Sequence, residues 1–122
     1  MTGYSKFAGV FVSAMLVAGA ANAAPKLSPE LQKQAVAMRL VACLAQAAHR
    51  HDDGVSDPDR IAARIAPLCD ADFAREEAAY GASLTTSDQA QYRAMMDDNR
   101  TTLAADVVEH ERLAANRVAQ SN

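Results

Sequence analysis

The sequence predicts an all-α protein in which a disulfide-linked antiparallel helical hairpin is followed by one or two further helices. Three observations support this fold class. Alanine, the strongest helix former, fills 22 of the 99 positions from residue 24 to residue 122. Apolar residues recur at helical spacing, and the alternation typical of strands is absent. The two cysteines of the chain, Cys43 and Cys69, flank one polar turn.

The first 23 residues have the pattern of a secretory signal peptide. One cation, Lys6, precedes an uncharged apolar run over 7–21, and Ala21-Asn22-Ala23 is a small-x-small cleavage site. We therefore expect cleavage after Ala23, a periplasmic or secreted location, and a single helical domain over 24–122. The alternative is a retained membrane anchor, because the run is just long enough to span a bilayer. After cleavage we expect no stable membrane insertion.

The first helix is predicted to begin after Ser28, which can cap it, and to end near Arg50. Pro29 suits its first turn and Glu30 complements the helix dipole there. Two neighbouring apolar stripes are predicted to form one broad surface on this helix. One stripe contains Val36, Leu40, Cys43 and Ala47, and the other contains Leu31, Ala35, Met38, Val41 and Ala45.

A second helix is predicted from Pro58, capped by Asp57 or Ser56, to about Gly81. Its apolar residues are Ile61, Ile65, Leu68, Cys69, Phe73 and Tyr80. Pro67 removes a backbone donor and should kink or split this helix. Gly54 supplies the permissive backbone at which the chain reverses before it.

The remainder of the chain is predicted to be one bent helix or two helices over 84–117, followed by a frayed tail. Thr86 with Gln89 has the capping-box pattern at its start. The predicted apolar face contains Tyr92, Met96, Asn99, Leu103, Val107, His110 and Leu113 or Ala114, so polar groups interrupt it at Asn99 and His110.

The two cysteines are predicted to form a structural disulfide. Cys43 lies 8 residues before His51, and Cys69 lies 11 residues after Pro58. At about 1.5 Å per residue, both sulfurs stand roughly 12–16 Å from the turn on faces that should meet. An exported chain with two such cysteines favours a disulfide. A redox pair would usually have Cys-x-x-Cys spacing, and a structural zinc site needs about four ligands.

The turn resembles a motif of a loose group of small exported bacterial helical proteins. The resemblance covers residues 43–69 and is carried by DDGVSD at 52–57 and by RIAARIAPLC at 60–69. It implies two helices joined through flanking cysteines. It implies no activity, since no function is assigned to the group. Pro67 departs from the unbroken second helix that the resemblance implies.

The residues at this turn also include a candidate metal site, formed by His49, His51, Asp52 and Asp53. Imidazole and carboxylate groups can bind zinc or copper. However, residues two apart on a helix do not share a face, and His and Arg suit a solvated helix end. A calcium-binding EF-hand loop fails here because Val55 occupies a required ligand position.

No catalytic pattern is recognisable in the sequence, so we expect neither an enzyme nor a cofactor. Glu109-His110-Glu111 lacks the second histidine of a zincin helix, because that position is Ala114. The chain from residue 24 onward carries a net charge of −4 without a basic stripe, which disfavours nucleic acid as a partner. We therefore expect a non-catalytic interaction or envelope-stress role, with another envelope protein or a second copy as the partner. The alternatives are a metal-binding protein and an acid-activated chaperone.

Overall fold

The computed structural model describes residues 26–122, so the predicted signal segment lies outside the described residues. The first helix, α1, spans Pro29–His51. As the sequence predicts, the Ser28 hydroxyl accepts a hydrogen bond from the Leu31 amide, at 3.3 Å. The chain then reverses at Gly54, which has a φ of 73°. Only glycine adopts this left-handed conformation without steric cost, so Gly54 allows the sharp turn.

The predicted second helix is divided in two. Helix α2 spans Pro58–Ile65, a 3₁₀ turn covers Ala66–Cys69, and helix α3 spans Asp70–Gly81. Asp57 rather than Ser56 caps α2, since its carboxylate accepts from the Asp59 amide at 2.9 Å. The division lies at Pro67, which cannot donate a backbone hydrogen bond within a helix.

Helix α4 spans Thr86–Ser121 without a break, so the region 84–117 contains one helix. Its 36 residues extend over about 54 Å. The predicted cap was wrong by one residue: Thr85 accepts from the Asp88 amide at 3.2 Å, and Thr86 is already helical. The Gln89 side chain instead donates to the Gly81 carbonyl at 2.9 Å, which links α4 to the end of α3. The helix continues past residue 117, where we expected fraying, and its last turns are exposed.

The predicted disulfide is confirmed: Cys43 of α1 is bonded to Cys69, with the two Cα atoms 6.0 Å apart. At the far end of the same pair of helices, the Lys33 ammonium lies 5.5 Å from the centre of the Tyr80 ring. Helices α1 and α3 therefore run antiparallel. The all-α fold class is confirmed as well, since the described residues form helices and turns.

The core lies where α1, α2, α3 and α4 meet around the disulfide. Its largest fully buried side chains are Phe73, Leu40, Leu44, Ile61, Ile65, Val108 and Cys69. On α4, part of the predicted face meets the core, since Val107 is buried and Leu103 is half-buried. Asn99 and His110 are exposed, whereas Ala104 and Val108 are buried and Arg100 is half-buried. The polar groups that seemed to interrupt the apolar face therefore lie outside it.

On α1, the structure buries only one of the two predicted stripes. Leu40 and Ala47 of the first stripe are buried, whereas Leu31, Met38 and Val41 of the second stripe are exposed. Leu68 and Tyr80, two of the apolar residues at helical spacing in the predicted second helix, are exposed as well. The broad apolar surface predicted on α1 is therefore only partly buried, because the other helices are too few to cover all of it.

Candidate functional site

The four residues of the candidate metal site lie at one end of the bundle but point to different partners. The His49 Nε2 atom lies 3.0 Å from the Glu111 Oε2 atom on α4. His51 is exposed at the last turn of α1. Asp53 accepts hydrogen bonds within the loop from the Val55 and Ser56 amides, at 2.9 and 2.7 Å. Among residues 26–122, no three His, Cys, Asp or Glu side chains converge as metal ligands.

Asp52 holds the α1–α2 loop against α4 through Arg112. The guanidinium donates from Nε to Oδ2 at 2.9 Å and from Nη2 to Oδ1 at 2.7 Å. Its Nη2 atom also donates to the Ser56 carbonyl at 2.7 Å. This bidentate geometry is the strong form of an arginine–carboxylate pair. We call these three residues, Asp52, Ser56 and Arg112, the loop clamp.

Hydrogen bonds at this loop lower the pKa values of two carboxylates, Asp52 and Asp53. The hydrogen bond from Arg112 holds the pKa of Asp52 below its ordinary value, although partial burial opposes this. The hydroxyl and amide of Ser56 hold the pKa of Asp53 far below its ordinary value. Both carboxylates are therefore ionised and already hydrogen-bonded at neutral pH. Neither is free to bind a metal ion without giving up contacts that order the loop.

A cleft of about 340 Å³ opens beside the loop clamp. His49, Asp53, Glu111 and Arg112 are among the residues that line it. Their charges are mixed, and the arginine is neutralised by Asp52. The charged residues of this cleft therefore mainly join the α1–α2 loop to α4, and His49 with Glu111 is the one imidazole–carboxylate pair in its lining. Sequence reasoning missed Arg112, because it lies 60 residues from Asp52 and no local motif marks it.

A second charged cluster joins α3 to α4. Arg100 donates to Glu77 at 2.7 Å and to Asp70 at 3.3 Å, and its guanidinium carbon lies 5.0 Å from the centre of the Phe73 ring. Next to this cluster, one carboxylate oxygen of Glu76 is buried without a hydrogen-bond partner. Burial, and then the charge of Glu77, raise the pKa of Glu76. The cluster fixes the packing of Phe73 beneath Arg100.

The exposed stripe of α1 is the most distinctive surface of the described residues. Leu31, Met38 and Val41 are 50%, 72% and 46% exposed, and Ala42 beside them is exposed too. These four residues, which we call the α1 face, lie on one side of the helix, since Leu31, Val41 and Ala42 are seven, three and four residues from Met38. Isolated exposed apolar side chains are ordinary, but several on one side of a helix often mark a contact surface, here with the exposed Gln34 between Leu31 and Met38.

A groove of about 370 Å³ between α1 and α4 borders the α1 face. Its lining includes Val41 of α1 and Asp106, Val107 and His110 of α4. Val41 and Val107 are the apolar residues of this lining, and Asp106 is an exposed acidic residue of it. The α1 face therefore has an apolar centre and a negative group along its α4 side.

Comparison with known proteins adds no assignment: no protein-family model, curated protein or solved structure matches this chain. Within residues 26–122, no helix is both long enough and apolar enough to cross a membrane.

Proposed function

We propose that this chain is an exported, non-catalytic protein of the cell envelope that binds a protein partner, a different protein or a second copy, through the α1 face. The observation that carries the proposal is the exposure of Leu31, Met38 and Val41 in one row. Burying such a row releases apolar surface from water, at about 25 cal/mol per Å². The flexible side chain of Met38 also adapts readily to a partner's surface.

The charged residues that the fold brings together support a non-catalytic role. Arg112 is bound to Asp52, and Arg100 is bound to Glu77. Each pair joins two elements of the bundle, so each has a structural task. The predicted signal segment and the disulfide are both typical of an exported protein.

Site-specific crosslinking in cells tests this proposal. A photoreactive amino acid placed at Met38 should yield adducts between this chain and a protein partner. The same amino acid at Val55, which is 89% exposed on the loop, serves as a matched control and should yield few. Equal yields at both positions, or none at Met38, would refute binding through the α1 face.

A second candidate function, acid-activated chaperone activity, is favoured by the loop clamp. Protonation of Asp52 at low pH would release Arg112, loosen the α1–α2 loop and uncover buried apolar side chains. A client protein should then be protected from aggregation near pH 2–3 and unprotected at pH 7. Protection that is equal at both pH values, or absent at both, would exclude this function.

A further inference from the structure

We propose that the partner of the α1 face is a second copy of this chain, docked with the two α1 helices parallel across a two-fold axis. This inference rests on the proposed function, because it names the partner of the same surface. The apolar centre supplies attraction, and two unpaired charges on opposite margins of the α1 face determine the orientation.

The apolar centre fits a helix of the same kind. From Leu31 to Ala42 the α1 face extends over about 16 Å, roughly three helical turns. The small side chain of Ala42 allows the two backbones to approach closely beside the larger Met38. A contact between single helices buries less than the roughly 1,200 Å² of a standard interface, so the dimer should be weak and reversible.

The two margins of the α1 face carry opposite charges. Arg39 is exposed and lies about 100° around the helix from Met38, on the side away from Val41. Asp106 lies on the other margin, in the lining of the groove that it shares with Val41. Within residues 26–122, neither side chain forms an ion pair or a side-chain hydrogen bond.

The opposite charges of the two margins favour a parallel over an antiparallel arrangement of the two α1 helices. Arg39 precedes Val41 by two residues, about 3 Å along the axis, and Asp106 lines the same groove as Val41, so we place Arg39 and Asp106 at similar heights. A two-fold axis parallel to α1 preserves this height and exchanges the margins. Arg39 of each copy then faces Asp106 of the other. An antiparallel arrangement would place like margins together, with arginine beside arginine, which is unfavourable.

Analytical ultracentrifugation of the disulfide-bonded chain 24–122, from micromolar to millimolar concentration, tests this orientation. The wild-type mass should rise from one copy to two. Arg39→Asp and Asp106→Arg should each weaken the dimer about ten-fold or more, because each places like charges together. The double variant, with both charges exchanged, should restore the dimer. Val55→Glu changes an exposed apolar residue outside the α1 face and should leave it unchanged.

Circular dichroism should show unchanged helix content in every variant, since all three positions are exposed. A wild-type chain that stays monomeric, single variants that dimerise normally, or a double variant that is not restored would each overturn the inference. A monomeric chain that still forms adducts from Met38 with a different protein would refute self-association and leave the proposed function standing.

Discussion

Reduction of the disulfide should remove a large part of the stability of this protein. The bond between Cys43 and Cys69 closes a loop with a sequence separation of 26 residues. In the chain-entropy model, opening such a loop costs about 3.5 kcal/mol at 25 °C. Small domains have a total stability of roughly 5–15 kcal/mol, so the reduced protein should remain only marginally folded.

Urea unfolding of the oxidised and the reduced protein, followed by circular dichroism, measures this effect. Reduction is the cleaner perturbation, because both sulfur atoms stay in place and Cys69 remains buried. With a urea slope of about 1.5 kcal/mol/M, the midpoint should fall by roughly 2 M. The slope should increase on reduction, since the unfolded chain without its crosslink exposes more surface.

The double variant Cys43→Ala with Cys69→Ala serves as an independent control and should resemble the reduced protein. A loss below about 1 kcal/mol, with equal slopes before and after reduction, would contradict the reasoning. The loop would then be held closed in the unfolded state, or the helices would pack as well without the crosslink.

Four further predictions follow from particular side chains. Phe73→Ala should lower the free energy of unfolding by about 3–5 kcal/mol, because Phe73 is fully buried. Met38→Ala, at an exposed position, should change it by less than about 0.5 kcal/mol. Equal effects of the two variants in urea unfolding would contradict the assignment of Phe73 to the core. Gly54→Ala should lower the free energy of unfolding by about 1 kcal/mol through its positive φ alone, since a Cβ there has open space around it. An unchanged urea midpoint would contradict this backbone strain. Because the pKa of Asp52 is lowered in the folded protein, the stability that this carboxylate contributes is complete above its unfolded pKa of about 3.9 and is lost as the pH falls through the lower folded value. Asp52→Asn should therefore flatten the decline of the urea midpoint below about pH 4. Parallel curves for the variant and the wild type would argue against this contribution. Zinc titration by calorimetry should show no micromolar site, because His49 meets only one carboxylate, and micromolar binding that disappears in His49→Ala would overturn this expectation.

The ends of the helices were predictable because their causes are local. Ser28 and Asp57 cap the helices that follow them, and Gly54 takes the left-handed conformation of the turn. Pro67 divides the second helix where its missing donor requires it. The cap of α4 was displaced by one residue because Thr85 and Thr86 have the same capping chemistry, and only the course of the chain selects between them.

The disulfide was also predictable, since helical periodicity places Cys43 and Cys69 at similar distances from one turn. The contacts of the candidate metal residues were not. Arg112 lies 60 residues from Asp52, and nothing near either residue in the sequence indicates that a hydrogen-bonded pair will form. Such a contact depends on where α4 crosses the loop, which the packing of the whole bundle decides.

The sequence by itself determined that this protein is helical, that its hairpin is crosslinked, and where most of its helices begin. Only the tertiary structure decided which side of α1 is buried. Both sides are apolar, so periodicity could not separate Leu40 from Met38. Helices α2, α3 and α4 pack against one side and leave the other, the α1 face, in water. The proposed binding surface is therefore a consequence of how few helices the chain has to pack against its first.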